Sequence, residues 1–239
     1  HKLTVEFEHD YHTGDDVSLN ELINNNVIEN GQRSREFGPS TDFEVDVEYV
    51  LPFDEDRKFE AGYQNEFEDE KENNEVFHYQ SGQGYVFQDK FSNYTKGIER
   101  EHAFYSMYAG KWGDLGYQFG MRTEYTFRKI ELLERDQSFT IDRWDYFPSV
   151  HSSYKFPNEH QVMASYTRRI DRPRGWYLEP FITWRDAYSV RQGNPGLVPE
   201  FINSYELGYQ KFIGNSMISV EGYYRVTNNK IERVRSVYQ

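Results

Sequence analysis

Apolar and polar residues alternate with a period of two along most of this chain. From Phe43 to Leu51 every second residue is apolar, and the residues between them are mostly carboxylates. Because successive side chains of a β-strand point to opposite faces of a sheet, this pattern predicts strands with one apolar and one polar face. It recurs in nine segments, which begin near Leu3, Phe43, Phe59, Ala103, Leu115, Val150, Val162, Tyr205 and Ile218. We therefore predict an all-β fold of nine strands, with a tenth beginning at Ile231.

The alternation also predicts which side chains share a face. We expect one face to be apolar and to meet lipid, with Phe43, Val45, Val47, Tyr117, Phe119, Met121, Tyr205, Leu207 and Tyr209 on it. In the fourth segment we take Ala103, Tyr105, Met107 and Ala109 as the apolar side. We expect the other face to line a lumen, with Glu44, Asp46, Gln118, Arg122 and Glu206 on it. A register slip of one residue would place carboxylates in hydrocarbon, at a cost on the order of several kcal/mol each.

The lengths of the connections favour a membrane barrel over a soluble sandwich. Short turns are predicted at 52–57, 110–114, 157–159 and 212–216. They alternate with long polar loops at 11–40, 71–97, 128–142 and 173–199. Outer-membrane barrels have short periplasmic turns and long extracellular loops. The segment from Lys58 to Asp69, at about 3.3 Å per residue and about 45° of tilt, would rise roughly 28 Å, the thickness of a bilayer core.

Composition narrows the class of protein further. The chain has 239 residues, 18% aromatic residues and a mean hydropathy of −0.90. A helical membrane protein needs apolar runs of roughly 18 residues, which this sequence lacks, whereas a barrel with a hydrated lumen keeps a low mean hydropathy. The net charge of −13 argues against nucleic acid as a partner.

Several motifs carry a family resemblance. The clearest are RRIDRP at 168–173, GNPGLVPE at 193–200 and SYELGY at 204–209, joined by GMRTEY at 120–125 and GYYR at 222–225. From about Ala103 to the C-terminus the chain resembles the barrels of TonB-dependent outer-membrane receptors, in particular the outer-membrane β-barrel family common in Bacteroidota. The resemblance implies a transmembrane antiparallel β-barrel in the outer membrane of a Gram-negative bacterium. Residues 1–239 would supply nine or ten strands of a barrel of about 22.

The resemblance also implies a function and partners. The expected function is energised uptake of a scarce nutrient, such as a metal chelate, an oligosaccharide or a peptide. The expected partners are outer-membrane lipid, a plug domain of the same parent protein outside this chain, the inner-membrane TonB complex and a surface lipoprotein. Two alternatives stay open: a structural or assembly barrel that does not transport, and a small ten-strand barrel enzyme closed by this chain alone.

Two sets of side chains are candidates for the site. The first set would face the lumen and, by resemblance, contact the plug: Glu44, Asp46, Glu48, Arg122, Glu124, Arg169, Glu206 and Arg225. Pairing between neighbouring strands is the simpler interpretation of any one of them. The second set would contact ligand in the proline-rich loop, or pack that loop: Trp176, Tyr177, Phe181 and Trp184. No catalytic motif, metal-ligand spacing or cofactor-binding loop is present in the sequence, so we expect neither enzyme activity nor a cofactor.

Overall fold

The computed structural model describes residues 1–134, 136–180, 182–186, 189–214 and 216–237, without the side chains of 183–186. Most of these residues lie in strands. The strands are β1 (Lys2–Asn24), β2 (Val27–Pro52), β3 (Lys58–Gln80), β4 (Gly84–Phe87), β5 (Asn93–Trp112), β6 (Leu115–Leu132), β7 (Gln137–Phe156), β8 (His160–Asp171), β9 (Ile182–Asp186), β10 (Ser189–Gln192), β11 (Glu200–Ile213) and β12 (Ser216–Asn228). A 3₁₀ turn at Asp89–Phe91 and a single helical turn, α1 (Gly175–Leu178), complete the described elements. No helix in this part of the chain is long and apolar enough to cross a membrane.

The strands form one antiparallel sheet in the order β1-β2-β3-β5-β6-β7-β8-β11-β12. Strand β4 pairs with the far end of β3, and β9 pairs with β10 in a separate hairpin. Nine strands therefore form the main path of the sheet, as the sequence predicts. The expected tenth strand at Ile231 is not formed in the described residues, since 230–237 lie outside any strand.

The register between strands assigns each side chain to one of two faces. One row of partners runs across the sheet through Leu51, Phe59, Tyr108, Phe119, Val150, Tyr166, Tyr205 and Tyr224. We call this side the apolar face and the opposite side the polar face. All nine residues expected on the apolar side share that face, and Glu44, Asp46, Gln118, Arg122 and Glu206 share the polar face.

The exposure of the two faces is the reverse of that in soluble proteins, because the apolar residues are exposed and charged residues are buried. Leu207 and Phe119 on the apolar face are 61% and 52% exposed, whereas Glu124 and Asp145 on the polar face are 6% and 3% exposed. A sheet in water buries its apolar side, so this arrangement requires an apolar medium around the outer face.

Strand β5 corrects one assignment made from the sequence. Ala103, Tyr105 and Met107 are partners of Glu124, Arg122 and Gly120, so they lie on the polar face. Ala109, the partner of Gln118, lies there too. The apolar face of β5 is instead formed by the even-numbered residues, His102, Phe104, Ser106 and Tyr108. Both faces of this strand carry aromatic residues, and only pairing with its neighbours distinguishes them.

The long connections also differ from the prediction. Most of the segments 11–40, 71–97 and 128–142 are not loops but continuations of the paired strands. Strands β1 and β2 stay paired as far as the turn at Asn25 and Asn26, both of which have positive φ (48° and 59°). Asparagine tolerates this left-handed conformation, which two-residue hairpin turns favour. Because the strands are antiparallel, all four long connections still leave the sheet at the same end, as predicted.

A glycine permits the close approach of β2 and β3 above the sheet's centre. A Cβ atom at Gly38 would lie 1.7 Å from the backbone carbonyl oxygen of Lys71. The ladder between β2 and β3 is interrupted there and resumes at Phe37 opposite Asn73 without a change of register. Only a residue without a side chain fits this contact.

Candidate functional site

Carboxylates dominate the polar face of the first three strands. Glu44 lies between Glu8 on β1 and Glu66 on β3, and Asp46 lies beside Glu6. Glu48, also on this face, is the partner of Thr4 and Gly62. Like charges on directly opposed residues repel, so this part of the face requires water or cations against it.

A compact group of opposite charges lies further along the polar face. We call it the arginine–glutamate cluster, and it consists of Glu101 on β5, Arg122 and Glu124 on β6, and Arg172 just after β8. Arg122 donates to Glu124 at 2.5 Å and lies 3.8 Å from Glu101. Arg172 lies 3.3 Å from Glu101 and also donates to Glu124. Two cations therefore balance two carboxylates within salt-bridge distance.

The cluster is shielded from water. The side chain of Glu124 is 7% exposed, and the side chain of Arg172, which also donates to Thr126 at 3.1 Å, is 22% exposed. Removing one partner of such a half-buried pair is destabilising, because it leaves the other charge without compensation. The cluster braces the wall and holds the point where the chain leaves β8.

A second pair anchors the same connection. Arg128 donates from Nε to Glu99 at 2.7 Å and from a terminal nitrogen to the carbonyl oxygen of Pro173 at 3.3 Å. Nearby, Arg143 donates to Asp145 at 2.6 Å on the same strand. The proline-rich connection therefore begins from a fixed position over the polar face.

The predicted lumen-facing residues separate into two groups. Arg122 and Glu124 join the arginine–glutamate cluster. Glu206 accepts from Ser165 at 3.1 Å, and Arg225 on β12 is exposed. Arg169, the partner of Ile202, forms no ion pair with any side chain in the described ranges. Contact of any of these residues with a plug stays a prediction.

Sequence reasoning missed half of the cluster. Glu101 was not recognised because the apolar side of β5 was assigned to the odd-numbered residues. Arg172 lies in the RRIDRP motif, and its position before Pro173 biases it towards extended backbone. That bias does not predict its contacts with Glu101 and Glu124, which lie on other strands.

The aromatic residues of the proline-rich connection pack against each other and against arginines. The rings of Trp176 and Tyr177 stack at 3.7 Å between centroids. Arg191 and Arg233 each lie 4.7 Å from the centre of the Trp176 ring. Arg233 also donates to the Tyr177 hydroxyl at 3.2 Å. These contacts favour the packing interpretation of both rings over ligand stacking.

The other two aromatic candidates contribute less. Phe181 lies outside the described residues. Trp184 lies in β9 with Val190 as its backbone partner, and its side chain is outside the described part of the structure. Their contact with ligand stays a prediction.

A buried carboxylate pair lies between β3 and this connection, beyond the span from Lys58 to Asp69. Burial, together with the charges of Glu179, Glu36 and Glu70, raises the pKa of Glu72 to about 7. Burial also raises the pKa of Glu179, against the effect of Arg191, which donates to it at 3.3 Å. Burial therefore disfavours the charged form of both carboxylates.

Small side chains line a shallow cavity near the short-turn end of the polar face. It has a volume of about 480 Å³. Its walls include Gly116, Ser153, Ser165 and Gly208, with Glu206 at one side. Among the described side chains, no group of three or more His, Cys, Asp or Glu residues is arranged to hold a metal ion. The polar face can therefore line a hydrated space.

Comparison with known proteins agrees with this geometry. The sequence model of the outer membrane protein beta-barrel family matches residues 1–239, the whole chain. No curated protein matches it.

Two solved structures are similar to this chain, and the first of them has the same fold. The ferric citrate transporter FecA, in its unliganded form, superposes with a TM-score of 0.57 at 12% sequence identity, over 92% of this chain and 31% of FecA. The match to the siderophore receptor PirA from Pseudomonas aeruginosa covers 92% of this chain and 51% of PirA, with a TM-score of 0.35 at 10% sequence identity. The chain thus spans about a third of FecA and half of PirA.

Proposed function

Since the chain belongs to the outer membrane protein beta-barrel family and lies in the outer membrane, we propose that it forms part of a receptor barrel for energised nutrient uptake. The nutrient would be scarce and too large for passive pores. A metal chelate, an oligosaccharide or a peptide would fit this description. Uptake would depend on the inner-membrane TonB complex. The barrel would act as scaffold and filter, without covalent chemistry.

The observation that carries this proposal is the open sheet with its two unlike faces. Nine antiparallel strands present an apolar outer side and a charged inner side, and their four long connections gather at one end. The superposition on FecA adds a transporter with the same fold, although the identity of 12% supports the fold alone. A receptor needs this combination of a lumen wall and an elaborated outer mouth.

The proposed mechanism assigns a role to each part of the site. Ligand would bind among the long connections, whose shape is held by Trp176, Tyr177 and the arginine–glutamate cluster. A plug from the same parent protein would occupy the lumen against the polar face until it is displaced. The carboxylates around Glu44 would offer that plug an acidic wall that favours a basic partner.

The uptake proposal is tested in cells that produce the full-length protein. Accumulation of labelled ferric chelates, oligosaccharides and peptides is compared with that of a deletion strain, with and without a protonophore. We expect one class to accumulate only in producing cells and only with an energised inner membrane. Accumulation that survives the protonophore would contradict energised uptake.

The two alternatives make different predictions. A structural or assembly barrel predicts an outer-membrane defect in the deletion strain without loss of any nutrient. The small-barrel enzyme predicts that this chain closes on itself, whereas β1 and β12, as described, are opposite ends of an open sheet. The absence of enzyme activity stays a proposal, which an assay for protease and lipase activity would test.

A further inference from the structure

A group of basic side chains lies on the apolar face at the long-connection end. We call it the basic patch, and it consists of Lys71 on β3, Lys96 and Arg100 on β5, and Lys129 on β6. Their register places all four on the same side as Phe67 and Phe127, which flank Arg100 directly. The patch therefore begins where the aromatic rows of that face end.

Two lysines of the patch oppose each other directly. Lys71 and Lys96 are partners in the β3–β5 ladder. Directly opposed side chains of an antiparallel pair lie about 5 Å apart at Cβ, and like charges at that position are destabilising. This arrangement is favourable only with anions close by.

The protein's own anions neutralise the patch incompletely. Asp69 lies 4.0 Å from Lys96, and Glu131 pairs with Lys129. Within the described residues neither Lys71 nor Arg100 has an ion pair, and Arg100 instead lies 5.4 Å from the centre of the Phe67 ring. Both side chains are exposed. Four cations therefore face three carboxylates, counting Asp142 beside Phe127. Arg100 lies in the row of Phe67 and Phe127, and Lys71 lies two rows further out.

The basic patch does not reflect a generally basic surface, because the opposite side of the same strands is acidic. On the polar face, β3 and β5 carry Glu68, Glu70, Glu72, Glu99 and Glu101 at the same level. The whole chain has a net charge of −13. A positive patch on an acidic protein, confined to the lipid side, fits a negatively charged partner located at the membrane surface.

We propose that the basic patch binds the phosphate groups of an anionic lipid in the outer leaflet. Long connections of outer-membrane barrels lie on the cell-surface side, so the patch is level with outer-leaflet headgroups. Ammonium and guanidinium groups beside an apolar band contact lipid phosphates while their stems stay on the acyl chains. The proposal depends on the apolar face meeting lipid and is independent of nutrient uptake.

The test uses the full-length protein in detergent micelles that contain fluorescent lipid A with two phosphates, or its dephosphorylated form. Lys71→Gln and Arg100→Gln are compared with Lys211→Gln, a lysine at the short-turn end of the apolar face. We expect each patch substitution to weaken binding of the phosphorylated lipid about fivefold. Lys211→Gln should leave binding unchanged, and the dephosphorylated lipid should bind all variants equally weakly.

Three results would overturn the proposal. They are equal weakening by Lys211→Gln, equal affinity for the dephosphorylated lipid, and full competition by inorganic phosphate at the concentration of the lipid. Compact migration of unheated samples in SDS gels shows whether each variant is folded. A misfolded Lys71→Gln or Arg100→Gln variant is replaced by Lys71→Arg and Arg100→Lys, which should retain binding.

Discussion

Individual residues of the wall act mainly by compensating charge. The polar face carries far more carboxylates than cations, and four arginines (Arg122, Arg128, Arg143 and Arg172) make the ion pairs that brace β5, β6 and β7. Where carboxylates lack such partners, as around Glu44, the wall depends on water or on whatever fills the lumen. Three predictions follow from single side chains.

Replacing Arg172 with methionine should destabilise the barrel. Glu101 and Glu124 would keep only Arg122 as a cation, and Glu124 is almost fully buried. We expect the free energy of unfolding in urea to fall by about 1–3 kcal/mol. Arg225→Met is the matched control, because Arg225 is exposed, and it should change the free energy little. Equal effects of both substitutions would contradict a bracing role for the cluster.

Replacing Gly38 with alanine should impair assembly. The new Cβ atom would lie 1.7 Å from the carbonyl oxygen of Lys71, so the backbone of β2 or β3 must move. The control is Gly97→Ala, since a Cβ atom at Gly97 would meet nothing within 4 Å. The measurement is the fraction of protein that reaches the outer membrane in compact form. Similar fractions for the two variants would show that the close approach is unimportant.

The contact between Glu72 and the proline-rich connection should weaken as pH rises. The pKa of Glu72 lies at about 7 in the folded protein, above the ordinary value of 4.5. A raised carboxyl pKa contributes stability that is present below 4.5 and is lost as pH rises through about 7. Glu179, Glu36 and Glu70 all face it, and Arg191 is the nearby cation.

A spin label at Asn194 reports on this contact. We expect the mobility of the label to be low at about pH 5 and to increase between about pH 6 and 8, because the pKa of Glu72 is about 7. In Glu72→Gln the label should stay immobile across the range. A pH response that persists in Glu72→Gln would assign the titration to another group.

At the scale of elements, the long hairpins that extend beyond the sheet's centre are the main departure from the sequence prediction. The stretch from Asp69 to Glu75, in the far part of β3, is polar on both faces. Alternation therefore weakens where both faces meet water, and these paired strands resemble loops in sequence. In the membrane span one face must be apolar, so the alternation there predicted the strands correctly, and their faces too except in β5.

Other elements could not be assigned without their neighbours. Phe104 and Tyr105 lie on opposite faces of β5, and the sequence of that strand alone does not distinguish them. Arg172 follows β8, whereas Glu101 lies on β5, three strands away in the sheet. Their contact therefore depends on the path of the chain after β8 and not on a local pattern. Pairing and long-range approach, rather than local pattern, determine these parts of the site.

Shortening one hairpin should separate assembly from ligand capture. Residues 17–34 form the far part of β1 and β2, and a short turn in their place leaves the span near Phe43 intact. We expect the shortened protein to reach the outer membrane in compact form and to lose most ligand binding. Binding is measured with the nutrient identified in the uptake assay. Loss of assembly with retained binding per folded molecule would contradict this division of roles.

At the scale of the whole chain, the described strands form an open sheet, which we propose is completed by further strands. Strands β1 and β12 are its two ends, and their outer edges are unpaired in the part of the chain that the structure describes. Unpaired backbone donors and acceptors are not tolerated in hydrocarbon, so both edges require partners within a larger barrel. The superposition on 31% of FecA agrees with a segment of a larger wall. We infer that the apolar face of this segment meets lipid and that the polar face meets the lumen.

Cysteine labelling tests that claim most directly. The chain has no cysteine, so a single substitution creates one reactive site within it. Val45→Cys and Leu207→Cys on the apolar face are compared with Asp46→Cys and Glu206→Cys on the polar face, in the full-length protein in outer membranes. A membrane-impermeant maleimide should label the Asp46 and Glu206 sites faster than the Val45 and Leu207 sites. Faster labelling at Val45 and Leu207 would show that the faces are reversed and would refute the account.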